Sequence, residues 1–386
     1  MILSPAHRRI LLSTAMITLA VALAPGVAAD VPPGGNAAAL PPVDEPSRGG
    51  DPPFTWEWHT TGSFGNLASV DAVSDQVAWA VSTDTAEVLL TVDGGTTFEE
   101  VAPPEGIIDG LQFYDVEAKS ADEALVLAAG TGPQSRIYRT TDGGDSWDET
   151  FRAVDEAAFF DCMTMFDENR GLAMGDPVND KYQIVVTSDA GATWDYAPTD
   201  GMPDAMPGEW AWAVSGQCVT ATGRTAWFGT GAGPEARVFR TADYGQTWTA
   251  ASTGLAAGAT GGIMALDFRT NKVGIAIGGD FTLGVLGIAR TTDSGVTWDV
   301  VEGAVPDAYR TGISWWNDLK GDERSIIDQQ KVVFTVGLTG SDVSMNRGKS
   351  WAKFDSNSLN AVDCVKGTSV CWASGGGGVI ATLAVG

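Results

Sequence analysis

Charged and aromatic residues that could bind or transform a polar ligand recur from the middle of the chain to its C-terminal part. Arginine and lysine bind carboxylates, aromatic rings line ligand pockets, and paired carboxylic acids catalyse glycoside hydrolysis. The candidate ligand-binding residues are Lys181, Glu209, Trp210, Arg237, Tyr309, Arg310 and Trp315. If the protein is an enzyme, the candidate catalytic acids are Asp176, Asp280 and Asp342.

A structural interpretation competes with each of these assignments. Charged side chains usually lie in solvated loops, without a ligand. Arg136 in GPQSR and Arg237 in GPEAR have matching sequence contexts, which favours a structural role that is repeated along the chain. Trp315 and Trp316 are placed at the start of an inner strand. The residues alone therefore leave open a binding protein without chemistry and a carbohydrate-active enzyme.

Several other chemistries lack their residues. His59 is the only histidine after the first 29 residues, which argues against Ser-His-Asp and Cys-His catalysis and against histidine zinc sites. The glycine-rich stretches have no strand–loop–helix context, so they do not predict a nucleotide site. Calcium could bind among the many carboxylates, but no calcium-binding spacing is present. We therefore predict no cofactor and no named metal site.

The elements that must position these residues are indicated by a short polar pattern, as in TTDGGDSW at 140–147, which occurs six times. Its third position recurs every 47 to 54 residues. The Asp accepts hydrogen bonds from its own turn, the Gly supplies a positive φ, and the final aromatic residue packs the turn against a sheet. We call this hairpin connection the staple turn; its third residues are Asp93, Asp142, Asp189, Asp243, Asp293 and Asn346.

Four short strands surround each staple turn, and this period is typical of a β-propeller blade. Three further strands follow the last staple turn, and FTWEWHTT at 54–61 is a lone strand before the first blade. Pairing this strand with the last three closes a ring of seven four-stranded blades without open sheet edges. In this all-β fold, the staple turns occupy one face, and we expect a ligand at the channel mouth on the other.

The N-terminal segments predict export. Residues 1–29 combine basic residues, an apolar run and a small-residue ending, as in a secretory signal peptide. Residues 30–53 form a Pro/Gly/Ala-rich flexible spacer, and residues 54–386 form the propeller. The formal charge of −26 argues against nucleic-acid and anionic-lipid partners. We expect a secreted monomer without membrane insertion whose partner is a protein or a carbohydrate.

The four cysteines are predicted to form disulfides in an exported protein. A tight turn in VDCVKGTSVCWA brings Cys364 and Cys371 onto neighbouring strands. Cys162 and Cys218 fall on the innermost strands of adjacent blades, so an inter-blade disulfide is a candidate there.

These repeats resemble Asp-box (BNR) repeats, which sialidase-like propellers share with photosystem II stability/assembly-factor-like propellers. The stretches MGDPVNDKYQIVVTSDAGATW, WFGTGAGPEARVFRTADYGQTW, IAIGGDF and YRTGISW are similar to secreted bacterial relatives of the second group. The resemblance covers residues 54–386 and implies the propeller fold more specifically than any activity.

Sialidases bind the substrate carboxylate with three arginines and use a Tyr/Glu pair and an Asp. Arg136, Arg237, Arg310, Tyr309 and Glu209 could supply such a set, but the sialidase Phe/Tyr-Arg-Ile-Pro motif is absent. Sialidases also usually have six blades. The expected function is therefore a secreted scaffold that binds a ligand or a protein and performs no chemistry. The alternative is a glycosidase, a sialidase-like hydrolase or a uronate lyase at the channel mouth.

Overall fold

The computed structural model describes residues 52–103, 108–306, 308–316 and 331–385. The predicted signal peptide and nearly all of the predicted spacer lie outside these ranges. Within them, strands form seven four-stranded antiparallel sheets; in six of them the four strands are consecutive in the chain, and in the seventh the first strand pairs with the last. The short apolar runs seen in the sequence become strands whose buried positions face neighbouring blades, as in β2 (Leu67–Ala72) and β3 (Ala78–Ser82).

The blades are numbered in chain order, and each runs from an innermost to an outermost strand. Blade 1 consists of β2, β3, β4 (Val88–Thr91) and β5 (Glu99–Glu100). Blade 2 consists of β6 (Phe113–Ala118), β7 (Ala124–Ala128), β8 (Arg136–Thr140) and β9 (Asp148–Arg152). Blade 3 consists of β10 (Phe160–Met165), β11 (Gly171–Val178), β12 (Lys181–Thr187) and β13 (Asp195–Tyr196). Blade 4 consists of β14 (Val219–Thr222), β15 (Thr225–Gly229), β16 (Arg237–Thr241) and β17 (Thr249–Ser252).

The last three blades follow the same order. Blade 5 consists of β18 (Gly261–Phe268), β19 (Gly274–Asp280), β20 (Val285–Thr291) and β21 (Asp299–Val300). Blade 6 consists of β22 (Gly312–Trp315), β23 (Val333–Gly337), β24 (Gly340–Ser344) and β25 (Ala352–Asp355). Blade 7 consists of β26 (Ala361–Cys364), β27 (Cys371–Gly375), β28 (Val379–Val385) and β1 (Phe54–Thr60). A 3-10 helix spans Gly132–Gln134.

The N-terminal strand closes the ring, as predicted. β1 pairs antiparallel with β28 from Phe54 opposite Val385 to Thr60 opposite Val379. Phe54 is almost fully buried and packs edge-on against Trp316 and Phe334 of blade 6. The prediction of seven four-stranded blades, with the first strand completing the last blade, is confirmed.

Each staple turn joins the third strand of its blade to the fourth, as in blade 2. Asp142 Oδ1 accepts hydrogen bonds from Thr140 Oγ1 and Ser146 N, both at 2.9 Å, and Asp142 Oδ2 accepts one from Ser146 Oγ at 2.6 Å. These bonds lower the pKa of Asp142 below its usual value. Gly144 has a φ of +91°, which glycine adopts without strain. The turn is therefore held by its own side chains and needs no ligand.

Indole rings tie neighbouring blades together at the face that carries the staple turns. Trp79 of blade 1, Trp227 of blade 4 and Trp372 of blade 7 are fully buried. Each donates its Nε1–H to a backbone carbonyl of the next blade, for example from Trp372 to Ser74 at 2.8 Å. Burial of such rings between sheets supplies much of the apolar stabilisation between blades.

The structure also bears on the predictions for the cysteines, for Trp315 and Trp316, and for membrane insertion. Disulfides join Cys162 to Cys218 and Cys364 to Cys371. Trp315 is the last residue of β22, and Trp316 follows it. The prediction that the two tryptophans begin this strand is wrong, because Gly312 already pairs with Val336 at the start of the ladder. Among the described residues, no helix is long and apolar enough to span a bilayer.

Candidate functional site

The two faces of the ring carry different connections. The staple face contains the six staple turns and the turns from the first to the second strand of each blade. The loop face contains the turns from the second to the third strand and the connections between blades. The candidate ligand residues were expected on the loop face, around the mouth of the central channel.

Arg237 and Glu209 form a buried ion pair on the loop face of blade 4. Arg237 Nη2 lies 2.5 Å from Glu209 Oε2, and its Nε donates to Glu209 Oε1 at 2.9 Å. The Glu209 side chain is fully buried and also accepts a hydrogen bond from Thr230 Oγ1 at 2.5 Å. Arg237 Nη2 donates to the backbone carbonyl of Asp204 at 2.9 Å. This pair fixes the connection between blades 3 and 4 to the start of β16.

Arg310 and Asp342 form a second buried ion pair, in blade 6. Arg310 Nε and Nη2 donate to Asp342 Oδ2 at 2.7 and 2.5 Å, and Nη1 donates to Thr339 Oγ1 at 2.7 Å. Both side chains are almost completely buried. The guanidinium hydrogens on Nε, Nη1 and Nη2 are thus directed at partners within the protein and away from solvent.

The remaining predicted residues also have partners within the chain. Lys181 Nζ pairs with Asp204 at 2.6 Å. Asp176 accepts a hydrogen bond from Ala211 N at 3.1 Å. Asp280 accepts hydrogen bonds from the backbone of its own turn and from Thr260 Oγ1.

Two of the predicted aromatic residues, Trp210 and Tyr309, are connected by ring contacts through Trp212 and Phe281. Tyr309 is buried beside Phe281, and this burial raises the pKa of Tyr309. Trp210 packs edge-on against Trp212, whereas Trp315 lies in the innermost strand of blade 6. Arg136 pairs with Asp109 at 2.6 Å and begins β8, just as Arg237 begins β16. The predicted residues therefore make their contacts inside the protein: Lys181 and Arg237 both bind Asp204, and a series of ring contacts links Trp210 to Tyr309.

The segment 211–217, which we call the cross-channel segment, closes the channel toward the loop face. Ser215 Oγ donates to Thr311 O of the connection before β22 at 2.8 Å. Gln217 Nε2 donates to carbonyls of Ile313 and Val362, and Gln217 Oε1 accepts from Ile313 N at 3.0 Å. A Cβ on Gly216 would overlap Asp115 on the opposite side of the channel. The segment thus bridges from blade 3 to blades 2, 6 and 7.

A cavity of about 370 Å³ occupies the channel between this segment and the staple face. We call it the chamber. Gly216 and Gln217 line its closed end, and Val365 and Lys366 of the turn after β26 line its other end. Its wall carries five carboxylates from four innermost strands, namely Asp71, Asp115, Glu117, Asp267 and Asp363.

The chamber carboxylates bind the backbone of neighbouring blades. Asp267 accepts from Trp315 N of the next innermost strand at 2.9 Å, and Asp363 accepts from Ala72 N at 2.9 Å. Equivalent bonds run from Ala118 N to Asp71, from Met165 N to Glu117 and from Cys364 N to Ser314. Each acceptor is the next-to-last residue of its strand, so these bonds, which we call the inner-ring bonds, join consecutive blades.

Burial perturbs the acidity of this group. It raises the pKa of Asp71 well above the usual value, and the charges of Asp363 and Glu117 raise it further. Burial likewise raises the pKa of Asp115 and Glu117 and brings that of Asp267 to about 6. The interaction of the Asp363 carboxyl with Asp71 thus favours the protonated form of Asp71.

Sequence reasoning missed the chamber acids, although a signal exists. The innermost strands of blades 1, 2, 5 and 7 end in VDA, VEA, LDF and VDC, with an acid between two apolar residues. An acid at the same place in several blades indicates a ring around the channel. Among the described residues, no group of three or more histidines, cysteines or carboxylates has an arrangement that could hold a metal ion.

The fold and the chamber define a seven-bladed propeller with a channel closed toward the loop face. No protein-family model matches the chain, and no curated protein matches it. Similar solved structures include YCF48 bound to D1 peptide (14% identity, TM-score 0.57, 85% of this chain and 96% of that chain). YCF48 from Cyanidioschyzon merolae is similar at 17% identity and a TM-score of 0.56, over 85% and 98%.

A streptogramin B lyase is also similar in structure. Its identity is 12% and its TM-score 0.58, over 86% of this chain and 98% of that chain. At these identities the similarity shows a shared propeller fold. Because one propeller fold serves both peptide binding and a lyase, the fold does not decide between binding and catalysis.

Proposed function

We propose that this protein is a secreted propeller that binds a protein partner and performs no chemistry of its own. The observation that carries the proposal is that the predicted ligand-binding arginines of the loop face are held in buried ion pairs. Arg237 is paired with Glu209 and Arg310 with Asp342, both inside the protein. The cross-channel segment occupies the place where a small ligand would enter the channel.

A buried ion pair is a poor ligand site, because a ligand would have to break the pair before it could bind. Breaking such a pair by removing one partner costs about 3–5 kcal/mol. A carboxylated sugar would have to offset this cost before gaining any affinity. A flat protein-binding face does not require that exchange, so the arrangement supports recognition of a macromolecule across the surface.

One of the structural neighbours supports peptide binding on this fold. One similar propeller is described as YCF48 bound to D1 peptide, which places a polypeptide on the same fold. The residues of that complex are not transferred to this chain, since the identity is 14%. The predicted signal peptide and the charge of −26 support an exported protein that meets its partner outside the cytoplasm.

The carbohydrate alternative is tested by ligand-dependent stability. The melting temperature of the mature protein is measured with sialosides, uronates and neutral oligosaccharides, with and without calcium. The proposal expects no ligand-specific rise. A rise that disappears in Asp280→Asn, but persists in a control variant of the exposed Asp148, would contradict it and place a sugar site on the loop face.

The protein-partner claim is tested by crosslinking the tagged full chain in its own exported fraction. The expected result is one dominant crosslinked protein, which is absent when an unrelated exported protein of similar charge carries the tag. Equal recovery of the same proteins with both baits would refute the proposal. N-terminal sequencing of the exported protein should give Asp30 as the first residue; an uncleaved N-terminus would refute the secreted form.

A further inference from the structure

Three large apolar side chains protrude from consecutive blade junctions on the loop face. Phe64 lies between β1 and β2, Ile108 between β5 and β6, and Val154 between β9 and β10. Their exposed fractions are 90%, 81% and 77%. Single exposed apolar residues are common on protein surfaces, but these three lie at successive junctions of one face, from the junction of blades 7 and 1 to the junction of blades 2 and 3.

Carboxylates concentrate in the same part of the face. The described loop-face connections of blades 1 to 3 contain no lysine or arginine. The basic residues that begin β8 and β12, Arg136 and Lys181, are each paired with a carboxylate at 2.6 Å. We call the apolar and acidic residues of this region the acidic arc; its carboxylates are Asp84, Glu87, Asp109, Asp155, Glu156, Asp180, Asp200 and Asp204.

The rest of the loop face differs. The described loop-face connections of blades 4 to 7 contribute Glu235 and Glu302 as their carboxylates, together with Asp280 at the end of β19. One exposed apolar residue there, Leu283 in the turn of blade 5, is 74% exposed and thus resembles Val154 in exposure. Apolar and acidic residues also meet at the blade 5 turn, where Leu283 and Val285 are exposed beside Asp280, but there they occupy one turn and not consecutive blade junctions.

We propose that the acidic arc binds a polypeptide segment in which lysine or arginine alternates with large apolar side chains. This inference rests on the proposed protein-binding function and names the partner's chemistry. The apolar side chains would supply contact area, and the carboxylates would attract and orient the basic residues. The same charges exclude acidic segments and anionic lipid surfaces as occupants.

The probe is a fluorescein-labelled 15-residue peptide that repeats Lys-Phe-Lys-Leu-Gly. Two control peptides replace either the Phe and Leu by Ser or the Lys by Glu. Binding to the mature protein is followed by fluorescence anisotropy at 0.15 M salt, roughly physiological ionic strength. The expected result is binding of the first peptide, at least about tenfold weaker binding of the Ser peptide, and no binding of the Glu peptide.

Variants distinguish the acidic arc from general attraction to an acidic protein. Phe64→Ser and Val154→Ser are each expected to weaken binding by about tenfold, whereas Leu283→Ser, the matched control, changes it less than about twofold. All three residues are exposed, so melting temperatures should match the unsubstituted protein. Asp155→Asn combined with Glu156→Gln should weaken binding and reduce its salt dependence.

Three outcomes would overturn the proposal: no binding of the Lys-Phe-Lys-Leu-Gly peptide, equal binding of the Ser peptide, or equal losses in the Phe64 and Leu283 variants. Each leaves the proposed function separately testable, because crosslinking in the exported fraction detects a partner on any surface. A crosslinked partner whose capture is unchanged by Phe64→Ser would refute the acidic arc and keep the binding function. The absence of any partner would refute the binding function itself.

Discussion

The substitution Asp267→Asn tests whether the chamber acids oppose folding at neutral pH. Burial raises the pKa of Asp267 from 3.8 to about 6, while Trp315 N donates a hydrogen bond to its carboxylate. Because the folded state holds this proton more tightly than the unfolded state, the associated stability is complete below pH 3.8. It is lost as the pH rises through 6. The difference between the two pKa values corresponds to about 3 kcal/mol in the free energy of unfolding.

An asparagine can still accept the hydrogen bond from Trp315 N through its amide oxygen, but it does not titrate. The variant should therefore gain up to about 3 kcal/mol relative to the unsubstituted protein above pH 7, and this gain should vanish near pH 4. Urea unfolding at pH 4, 5, 6, 7 and 8, with disulfides intact, measures both curves. The substitution Asp148→Asn, at an exposed position of β9, serves as the control.

Two results would refute this reasoning. Parallel stability curves for the variant and the unsubstituted protein would show that Asp267 does not hold its proton more tightly when folded. A destabilised variant at every pH would show that the carboxylate is needed as an acceptor for the inner-ring bond. Asp71, Asp115, Glu117 and Asp363 have raised pKa values for the same reason, so the whole protein should be more stable near pH 5 than at pH 8.

Three further predictions concern buried contacts. Arg310→Met should lower the free energy of unfolding by about 3–5 kcal/mol, because Asp342 remains buried without its cation. Adding Asp342→Leu should recover most of this loss, and urea titrations measure both variants. Gly216→Ala should lower the melting temperature, since its φ of +71° and the facing carboxylate exclude a Cβ; an unchanged value would contradict the closed channel. Replacing Cys162 and Cys218 by Ala should lower the free energy of unfolding by about 4 kcal/mol, because the disulfide closes a sequence separation of 56 residues. Calorimetry measures this loss, and a much smaller loss would contradict the prediction.

The repeat architecture can be read from the amino-acid sequence alone. The staple turn closes through contacts between residues at most four positions apart, such as Thr140 with Asp142 and Asp142 with Ser146. Its spacing therefore reports the number and length of the blades directly. The lone strand at 54–60 could be assigned to the last blade because a four-stranded sheet was left one strand short.

The arrangement of the candidate site depends on contacts that form when the chain folds. Whether Arg310 is a ligand residue or a buried ion-pair partner depends on Asp342, which is 32 residues away and belongs to another strand. The course of the cross-channel segment depends on contacts between Gln217 and Val362, 145 residues apart. The physical reason is that a side chain's charge, burial and partners are set by neighbours from other blades, whereas a turn is set by neighbours in sequence.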